Sequence, residues 1–321
     1  MSSKTRMPLV ATAVSALLAA GPAAAAGYPD KPINMTIAVT AGGSSDVQAR
    51  IMQKYWNAKG YERWVFAYRT GAGGAIGFAD IAHAKPDGYS IGGVNVPHIV
   101  LQPMVQGAQF TIDDFAYICQ VVNDPQVVAV RKGSPFKSVK GIVDFAKTNP
   151  GKLKLGLVGP YSGHHLMFLS FKSKYDFPAT DVMYKGAADQ NAALLGGEVD
   201  VMFGNVNDVM RSLEQMDVLG VASDARSSLL PNVPTLKEQG YDIRSSIRRG
   251  FVAPKGIDAA KLKWLRDAFG TVANDPQYLK DMEKAGQPAE HLSGEDFEKV
   301  TREESARDRR LLEQHGLVKK T

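Results

Sequence analysis

The sequence predicts an α/β protein with mainly parallel sheets, built on enough chain for two domains. Strand and helix signals alternate along most of its length, which is typical of layered α/β folds. Two glycine-bearing turns each follow an apolar strand and open a helix, and after Gly250 the pattern becomes mainly helical. Beyond an N-terminal export segment about 295 residues remain, a length that suits two ordinary domains.

The first 26 residues are predicted to form a signal peptide. Lys4 and Arg6 give a short positive region, and residues 9–20 form an apolar run that is too short to span a bilayer. A series of alanines offers a cleavage site, so we expect export to the periplasm and cleavage near Ala26. An uncleaved membrane anchor is the alternative, but no stop-transfer pattern follows the apolar run.

Charge and cysteine content disfavour nucleic-acid binding and exclude a disulfide within the chain. The formal charge is +5, and removal of Lys4 and Arg6 leaves 36 basic against 33 acidic residues, or +3. This nearly neutral balance disfavours nucleic acid as a partner. Cys119 is the only cysteine, so no internal disulfide can form. Its apolar neighbours predict a buried strand in which the thiol is a small apolar filler.

The individual strands are predicted from short apolar runs between turn residues, and the helices from longer amphipathic stretches. In the first half these patterns place strands at residues 33–39, 64–68, 89–94, 117–122 and 127–130, and helices from about 45, at 75–83 and at 139–148. In the second half they place strands at 153–157, 181–184, 199–203 and 218–222, and helices at 164–175, 188–195, 206–215, 259–274, 276–285 and 294–314. Asn123-Asp124-Pro125 is predicted to break the extended segment, and Ser138 to cap the helix that follows it.

The most informative pattern is the turn Ala-Gly-Gly-Ser-Ser-Asp at residues 41–46. Val47, Ile51 and Tyr55 follow at four-residue steps, which predicts one face of a helix that begins near Ser45. Glycines let the backbone come close to a ligand, and the free N–H groups at a helix start attract anions. In an exported protein this turn favours the capture of an anionic solute.

A second turn of similar design, Gly-Pro-Tyr-Ser-Gly-His-His, lies at residues 159–165. Ligands of open α/β sheets bind beyond the carboxyl ends of the strands. If the two turns face one cleft, two helix starts attract one anion, each with about half a positive charge. The alternative, that both are ordinary strand-to-helix turns, stays open on local sequence alone.

Motifs for catalysis and metal binding do not fit the chain. The Gly-x-Ser-x-Gly motif of α/β-hydrolases fails at Pro160, and the glycines of residues 71–77 miss the spacing of a dinucleotide loop. His164 and His165 are adjacent, so they lack the four-residue spacing of zinc-binding helices. We therefore expect no enzyme activity, no cofactor and no metal.

Eight short motifs run in order along the chain after the predicted signal peptide. They lie at residues 28–33, 41–46, 69–74, 86–89, 149–153, 184–186, 195–200 and 230–235. In this order and spacing the chain resembles the Bug receptors, the extracytoplasmic solute-binding proteins of tripartite tricarboxylate transport systems. The resemblance runs over essentially the whole mature chain, although no single motif is decisive.

The resemblance implies a two-lobed periplasmic binding protein, a type II-like "Venus flytrap" with the ligand cleft between the lobes. Lobe 1 would comprise residues 27–124 plus 245–321, and lobe 2 residues 125–244. Backbone groups and water at the two turns would hold a ligand carboxylate, and membrane permease subunits would receive the solute. We expect a monomer. A receptor that docks on a signalling partner instead of a permease is the alternative.

Departures from the family pattern bear on the ligand. Gly204 stands where family members usually carry an aspartate that can pair with the ammonium of an amino acid. Arg248 and Arg249 replace a more aromatic, uncharged stretch, and an arginine can grip a carboxylate through two parallel bonds. These features favour a di- or tricarboxylate, aromatic acids included. The alternative is that both arginines are surface or hinge charges, and the sequence does not decide whether they or His165 face the cleft.

The predicted ligand-binding residues follow from the two turns. The first lobe would contribute mainly backbone N–H groups, with Asp46 at the helix end or positioning water instead of binding the anion directly. The predicted set comprises Ala41, Gly42, Gly43, Ser44, Ser45 and Asp46 from the first turn, Ser162, Gly163 and His164 from the second, and Asn95, Tyr161, Tyr184, Phe203 and Arg248 as further lining residues.

Overall fold

The computed structural model describes residues 27–319, so the predicted signal peptide lies outside the described residues. The strands of this part are β1 Ile33–Ile37, β2 Trp64–Tyr68, β3 Ser90–Val96, β4 Phe115–Arg131, β5 Lys154–Val158, β6 Thr180–Tyr184, β7 Val201–Asn205, β8 Met216–Val221, β9 Ser246–Pro254 and β10 Ala289–Ser293. The α-helices are α1 Ser44–Ala58, α2 Ala75–Ala82, α3 His98–Val105, α4 Val139–Thr148, α5 Gly163–Tyr175, α6 Ala187–Gly196, α7 Val206–Met210, α8 Ala259–Ala273, α9 Pro276–Lys284 and α10 Gly294–Gln314.

The strands form one hydrogen-bonded array in the order β2-β1-β3-β9-β4-β7-β5-β6, with β8 and β10 also paired to β4. The outer strands on each side are parallel, as predicted: β1 pairs with β2 and β3, and β5 pairs with β6 and β7. The centre is antiparallel, and there the prediction of parallel pairing is wrong. The reason is that β4 and β9 each cross from one side of the array to the other. They cross in opposite directions, so they pair antiparallel.

Strand β4 is one continuous element, although the sequence predicts a break at Asn123-Asp124-Pro125. The break is absent because β9 pairs with these residues, from Arg248 opposite Asn123 to Ser246 opposite Pro125. Before this point β4 pairs with β9 and β10, and after it with β7 and β8. A partner strand from far along the chain thus overrides the local turn signal.

Each side of the array has its own apolar core. On one side, Trp56 of α1 packs against Trp64 and Phe269, with ring centroids 5.0 and 5.1 Å apart. On the other side, Phe171 of α5 packs against Phe203 at 5.2 Å. Burial of side chains of this size stabilises each core by about 1.5–3 kcal/mol per residue. The molecule therefore has two α/β lobes that are joined through β4 and β9.

Cys119 is buried in the core of the first lobe, which confirms its predicted role as an apolar filler. Helix α10 lies against β4 and reaches α5 in the other lobe, where His315, just after its end, lies 2.7 Å from the Ser173 hydroxyl. Within residues 27–319, no helix is both long and apolar enough to cross a membrane.

Candidate ligand-binding site

The first turn, between β1 and α1, is held by the carboxylate of Asp46. That carboxylate accepts a hydrogen bond from the Gly42 backbone N–H at 2.7 Å and from the Tyr68 hydroxyl at 2.7 Å, and it pairs with Arg50 Nε at 3.0 Å. Burial raises the pKa of Asp46, but these hydrogen bonds outweigh burial and hold it below its usual value. The charged carboxylate is thus directed at the protein's own turn.

Helix α1 begins with two serines whose side chains are already bound. The Ser44 hydroxyl donates to Asn207 Oδ1 at 2.5 Å, and the Ser45 hydroxyl donates to Asn95 Oδ1 at 3.0 Å. The backbone N–H groups of a first helical turn have no carbonyl one turn earlier in the helix. What this turn offers to a ligand is therefore the amide groups of Ser44 and Ser45.

The second turn, between β5 and α5, is closed by hydrogen bonds within itself. Ser162 caps α5: its hydroxyl accepts from the His165 N–H at 3.3 Å and donates to the Gly159 carbonyl at 3.1 Å. Tyr161 adopts a left-handed conformation with φ of 54°, and its N–H donates to His165 Nδ1 at 3.1 Å. The Gly159 N–H donates to the Tyr184 carbonyl at 3.0 Å, which ties the turn to β6.

His164 uses both ring nitrogens inside the protein. Its Nδ1 accepts from the Val158 N–H at 3.2 Å, so Nε2 carries the hydrogen and donates to Asn205 Oδ1 at 2.6 Å. Burial lowers the pKa of His164, and the opposing influence of Asp208 and of the Asn205 bond does not restore it. A neutral ring is thus fixed in place, and the backbone N–H is what His164 offers to a ligand.

Hydrogen bonds connect the two turns through the middle of β4. Asn205 Nδ2 donates to the Asp124 carbonyl at 2.9 Å, and the Asn207 N–H donates to Asp124 Oδ1 at 3.1 Å. Because Asn205 also holds His164 and Asn207 holds Ser44, a chain of contacts runs from one turn to the other. The structure thus brings both turns to one polar junction between the lobes, together with Asn95.

Two neighbouring arginines of β9 have different environments. Arg249 is buried at the junction, where both of its terminal nitrogens lie 3.1 Å from Asp124 Oδ2. Burial raises the pKa of Asp124 to about 6, although Arg249 opposes that effect. Burial beside Arg249 lowers the pKa of His98, which begins α3, to about 4.

Arg248 lies away from the two turns. Adjacent residues of a strand point to opposite faces, and the Arg248 guanidinium pairs with Glu304 of α10 at 2.8 Å and with Glu290 at 3.3 Å. The structure therefore does not bring Arg248 together with the other predicted lining residues, whereas Arg249 does lie at the junction.

The remaining predicted residues differ in how deeply they are buried and in whether they lie at the turns. Ala41 and Gly42 are exposed at the tip of the first turn. Tyr161 packs on apolar residues, and Tyr184 is half-buried at the end of β6. Phe203 is 1 % exposed within an aromatic cluster, with its ring stacked on Phe177 at 6.2 Å, so the structure places it in the core and not at the turns.

Sequence reasoning missed Asp124, Asn205 and Asn207. One signal was present: Asn205 and Asp208 have the spacing of a helix-capping pair, and the Asn205 N–H does donate to Asp208 Oδ2 at 3.2 Å. No local pattern links Asp124 to Arg249, because the two residues are 125 positions apart.

Among residues 27–319, no group of three or more acidic, histidine or cysteine side chains is placed to hold a metal ion.

Comparison with known proteins gives consistent matches. The model of the tripartite tricarboxylate transporter family receptor, TctC, matches residues 49–317. A Cupriavidus necator protein, described as the UPF0065 protein in the gbd 5' region, is 30% identical over 315 residues, which cover 97% of this chain and 96% of that protein. The solved structure of the periplasmic binding protein BugD is 26% identical with a TM-score of 0.78, covering 91% of this chain and 100% of BugD. An R. palustris protein solved with adipate has a TM-score of 0.80 at 23% identity, covering 91% and 99% of the two chains, and shows the fold alone.

Proposed function

This chain belongs to the tripartite tricarboxylate transporter family of receptors, and we propose that it captures a di- or tricarboxylate in the periplasm and delivers it to the permease subunits of such a transporter. The observation that carries the proposal is the junction of the two turns. There the side chains of Asp46, Ser162 and His164 are bound within the protein, and the first-turn amides of α1 and α5 are left for an anion.

The ligand would lie between the lobes and be held by both helix starts. Each helix start carries about half a positive charge, so a carboxylate that reaches both is attracted by both. We place the division between the lobes at the centre of β4 and just before β9, with residues 27–124 and 245–321 in one lobe and 125–244 in the other. The change in the pairing of β4 near Asp124 supports this division. Closure follows from a higher ligand affinity of the closed form, with no bond made or broken.

The ligand would carry more than one carboxylate. Gly204, in β7, supplies no acid that could pair with a ligand ammonium. Within residues 41–46 and 162–164, the proposed contacts are the backbone N–H groups of Ser44, Ser45, Gly163 and His164, with Asn95, Tyr161 and Tyr184 near them. The N–H groups of Gly42, Gly43 and Asp46 are bound within the first turn. Arg248 and Phe203 are left out because of their positions, and Arg249 joins the site as the buried cation that holds Asp124.

Thermal unfolding against a panel of acids tests this function. The panel contains acetate, benzoate, succinate, malate, adipate, phthalate, citrate, aspartate and glutamate. A ligand at one hundred times its dissociation constant stabilises the folded state by about 2.7 kcal/mol. We expect di- or tricarboxylates to raise the melting temperature, and a response to aspartate or glutamate alone would contradict the proposal.

Variants of the two turns then test the placement of the ligand. Gly43→Val, in the first turn, and Ser162→Ala, in the second, should each weaken binding of the acid that gives the largest thermal shift. Undiminished affinity in both variants, with folding intact, would remove these turns from the site. Uptake of that acid by cells with and without the receptor separates delivery to a permease from a purely signalling role.

A further inference from the structure

Gln126, two residues beyond Asp124 in β4, has a bound backbone and an unbound side chain. Its N–H donates to the Ser245 carbonyl at 2.8 Å, and its carbonyl accepts from the Ala222 N–H at 2.7 Å. The side chain is 0 % exposed, yet neither amide atom has a hydrogen-bond partner within residues 27–319. Native proteins rarely leave a buried amide without partners, because its lost hydration is then not replaced. The Gln126 amide thus has a donor and an acceptor that no group within residues 27–319 binds.

This amide lies against the start of α5. A Cβ atom added to Gly163, the first residue of α5, would lie 2.3 Å from Gln126 Nε2 and 3.6 Å from Ile247 Cγ1. The lack of a side chain at Gly163 is what lets the glutamine amide approach the helix terminus. Gln126 therefore borders the second turn of the proposed site.

The other polar groups around Gln126 are bound to one another. Asn205, opposite Gln126 in β7, joins His164 to the Asp124 carbonyl, and Asp124 binds Arg249. The side chains of Asn205, Asp124 and Arg249 are thus occupied by contacts within the protein. Gln126 differs from them because it has both a donor and an acceptor to offer.

We infer that the Gln126 amide binds a hydroxyl group next to the carboxylate of the ligand. The receptor would then prefer hydroxy di- or tricarboxylates over their deoxy forms. This inference rests on the proposed function. The helix start attracts the carboxylate, Nε2 donates to one of its oxygens, and Oε1 accepts from the neighbouring hydroxyl. Because the Gln126 amide is sealed from solvent, the ligand enters when the lobes separate and is enclosed when they close.

Two pairs of ligands that differ by one hydroxyl test the inference by isothermal titration calorimetry. The pairs are malate with succinate and citrate with tricarballylate. In the wild-type protein the hydroxy member of the bound pair should bind about tenfold more tightly. In Gln126→Leu this ratio should fall below about twofold, because the variant has neither donor nor acceptor.

Gln48→Leu is the matched control. Gln48, in α1, is also 0 % exposed, and neither of its amide atoms has a partner within residues 27–319. It should keep the wild-type ratio. Gln126→Met provides a second apolar side chain of similar length in case Gln126→Leu does not fold.

The outcomes separate the inference from the function on which it rests. Equal binding of both members of a pair by the wild type, or a wild-type ratio retained in Gln126→Leu, overturns the inference alone. Binding of other dicarboxylates but of none of these four also overturns only the inference. If no carboxylate binds at all, the proposed function itself is wrong.

Discussion

The two turns resemble each other in sequence but are held in different ways. The first is organised by a charged carboxylate, since Asp46 binds the Gly42 N–H, the Tyr68 hydroxyl and Arg50. The second is organised by neutral rings, since His164 and His165 each accept a backbone N–H through Nδ1. A glycine-bearing turn can thus be held by a charged carboxylate or by neutral histidine rings. In both cases the backbone amides at the start of the helix stay free.

The difference has an electrostatic consequence. At α1 the negative charge of Asp46 lies in the first turn and is offset by Arg50. At α5 the first turn contains no acidic residue, so the positive end of the helix acts on a ligand without a nearby negative charge on that turn. We therefore expect the second turn to contribute more to affinity and the first turn to depend more on its internal ion pair for stability.

Replacing the carboxylate should have the largest effect on stability. Asp46→Asn keeps the shape but loses the charge that binds Arg50 and places an NH₂ group near other donors, so we expect a loss of about 2 kcal/mol in the free energy of unfolding. Urea denaturation measures it. The matched control is Asp80→Asn, which removes an exposed ion pair with Arg69 at 3.2 Å and should cost less than about 0.5 kcal/mol. Equal losses in the two variants would show that Asp46 does not hold the turn.

A methyl group at the second turn should have the next largest effect, now on affinity. Gly163→Ala forces the Gln126 amide away from the start of α5, and we expect dicarboxylate affinity to fall about tenfold, equivalent to about 1.4 kcal/mol. Gly186→Ala is the control, since Gly186 lies at the start of another helix, as the N-cap of α6, but has no atom within 4 Å of an added Cβ. Calorimetric titration measures the dicarboxylate affinity of both variants. Similar affinities would argue against a ligand at α5.

The smallest predicted effect is on the pH dependence of stability, and it arises from His165 in the second turn. Burial lowers the pKa of His165, so the folded state favours the neutral ring over the charged one. The resulting stability is fully present above the unfolded pKa of about 6.5 and is lost as the pH falls through the lower, folded value. In His165→Asn the amide oxygen can still accept the Tyr161 N–H, and the dependence of unfolding free energy on pH below 6.5 should weaken by at most about 1.4 kcal/mol per pH unit.

Buried histidines elsewhere contribute to the same profile. Burial also lowers the pKa of His98, His164 and His291, so stability should still fall on acidification in His165→Asn, only less steeply. Denaturation curves at a series of pH values between 7 and 4 measure the difference. Superimposable profiles for the wild type and the variant would mean that burial does not lower the pKa of His165 in solution.

Much of the fold could be predicted because its signals are local. The bounds of β2 and α4 agree with their apolar runs, and Ser138 caps α4 as predicted. Strand β9 could not be predicted in the same way, because Ser-Ile-Arg-Arg has no apolar alternation and becomes a strand only between β3 and β4. Helix α3 and strand β10 were missed as well.

Local sequence patterns identified the two turns that meet at the junction, but not the strand pairing that joins them there. Glycine, serine and the helix starts identify residues 41–46 and 159–165 locally. Which of Arg248 and Arg249 faces the junction depends on the register of β9, and a shift by one residue would exchange their faces. The pair of Asp124 and Arg249 joins two strands that meet only in the folded protein.

A crystal structure of the protein with a bound dicarboxylate tests most directly whether the two turns hold one ligand together. We predict carboxylate oxygens within about 3 Å of a backbone nitrogen of Ser44 or Ser45 and of Gly163 or His164. A ligand bound through one turn only would contradict this account. So would a ligand in the separate cavity of about 550 Å³ that Lys174 and Arg310 line between α5 and α10.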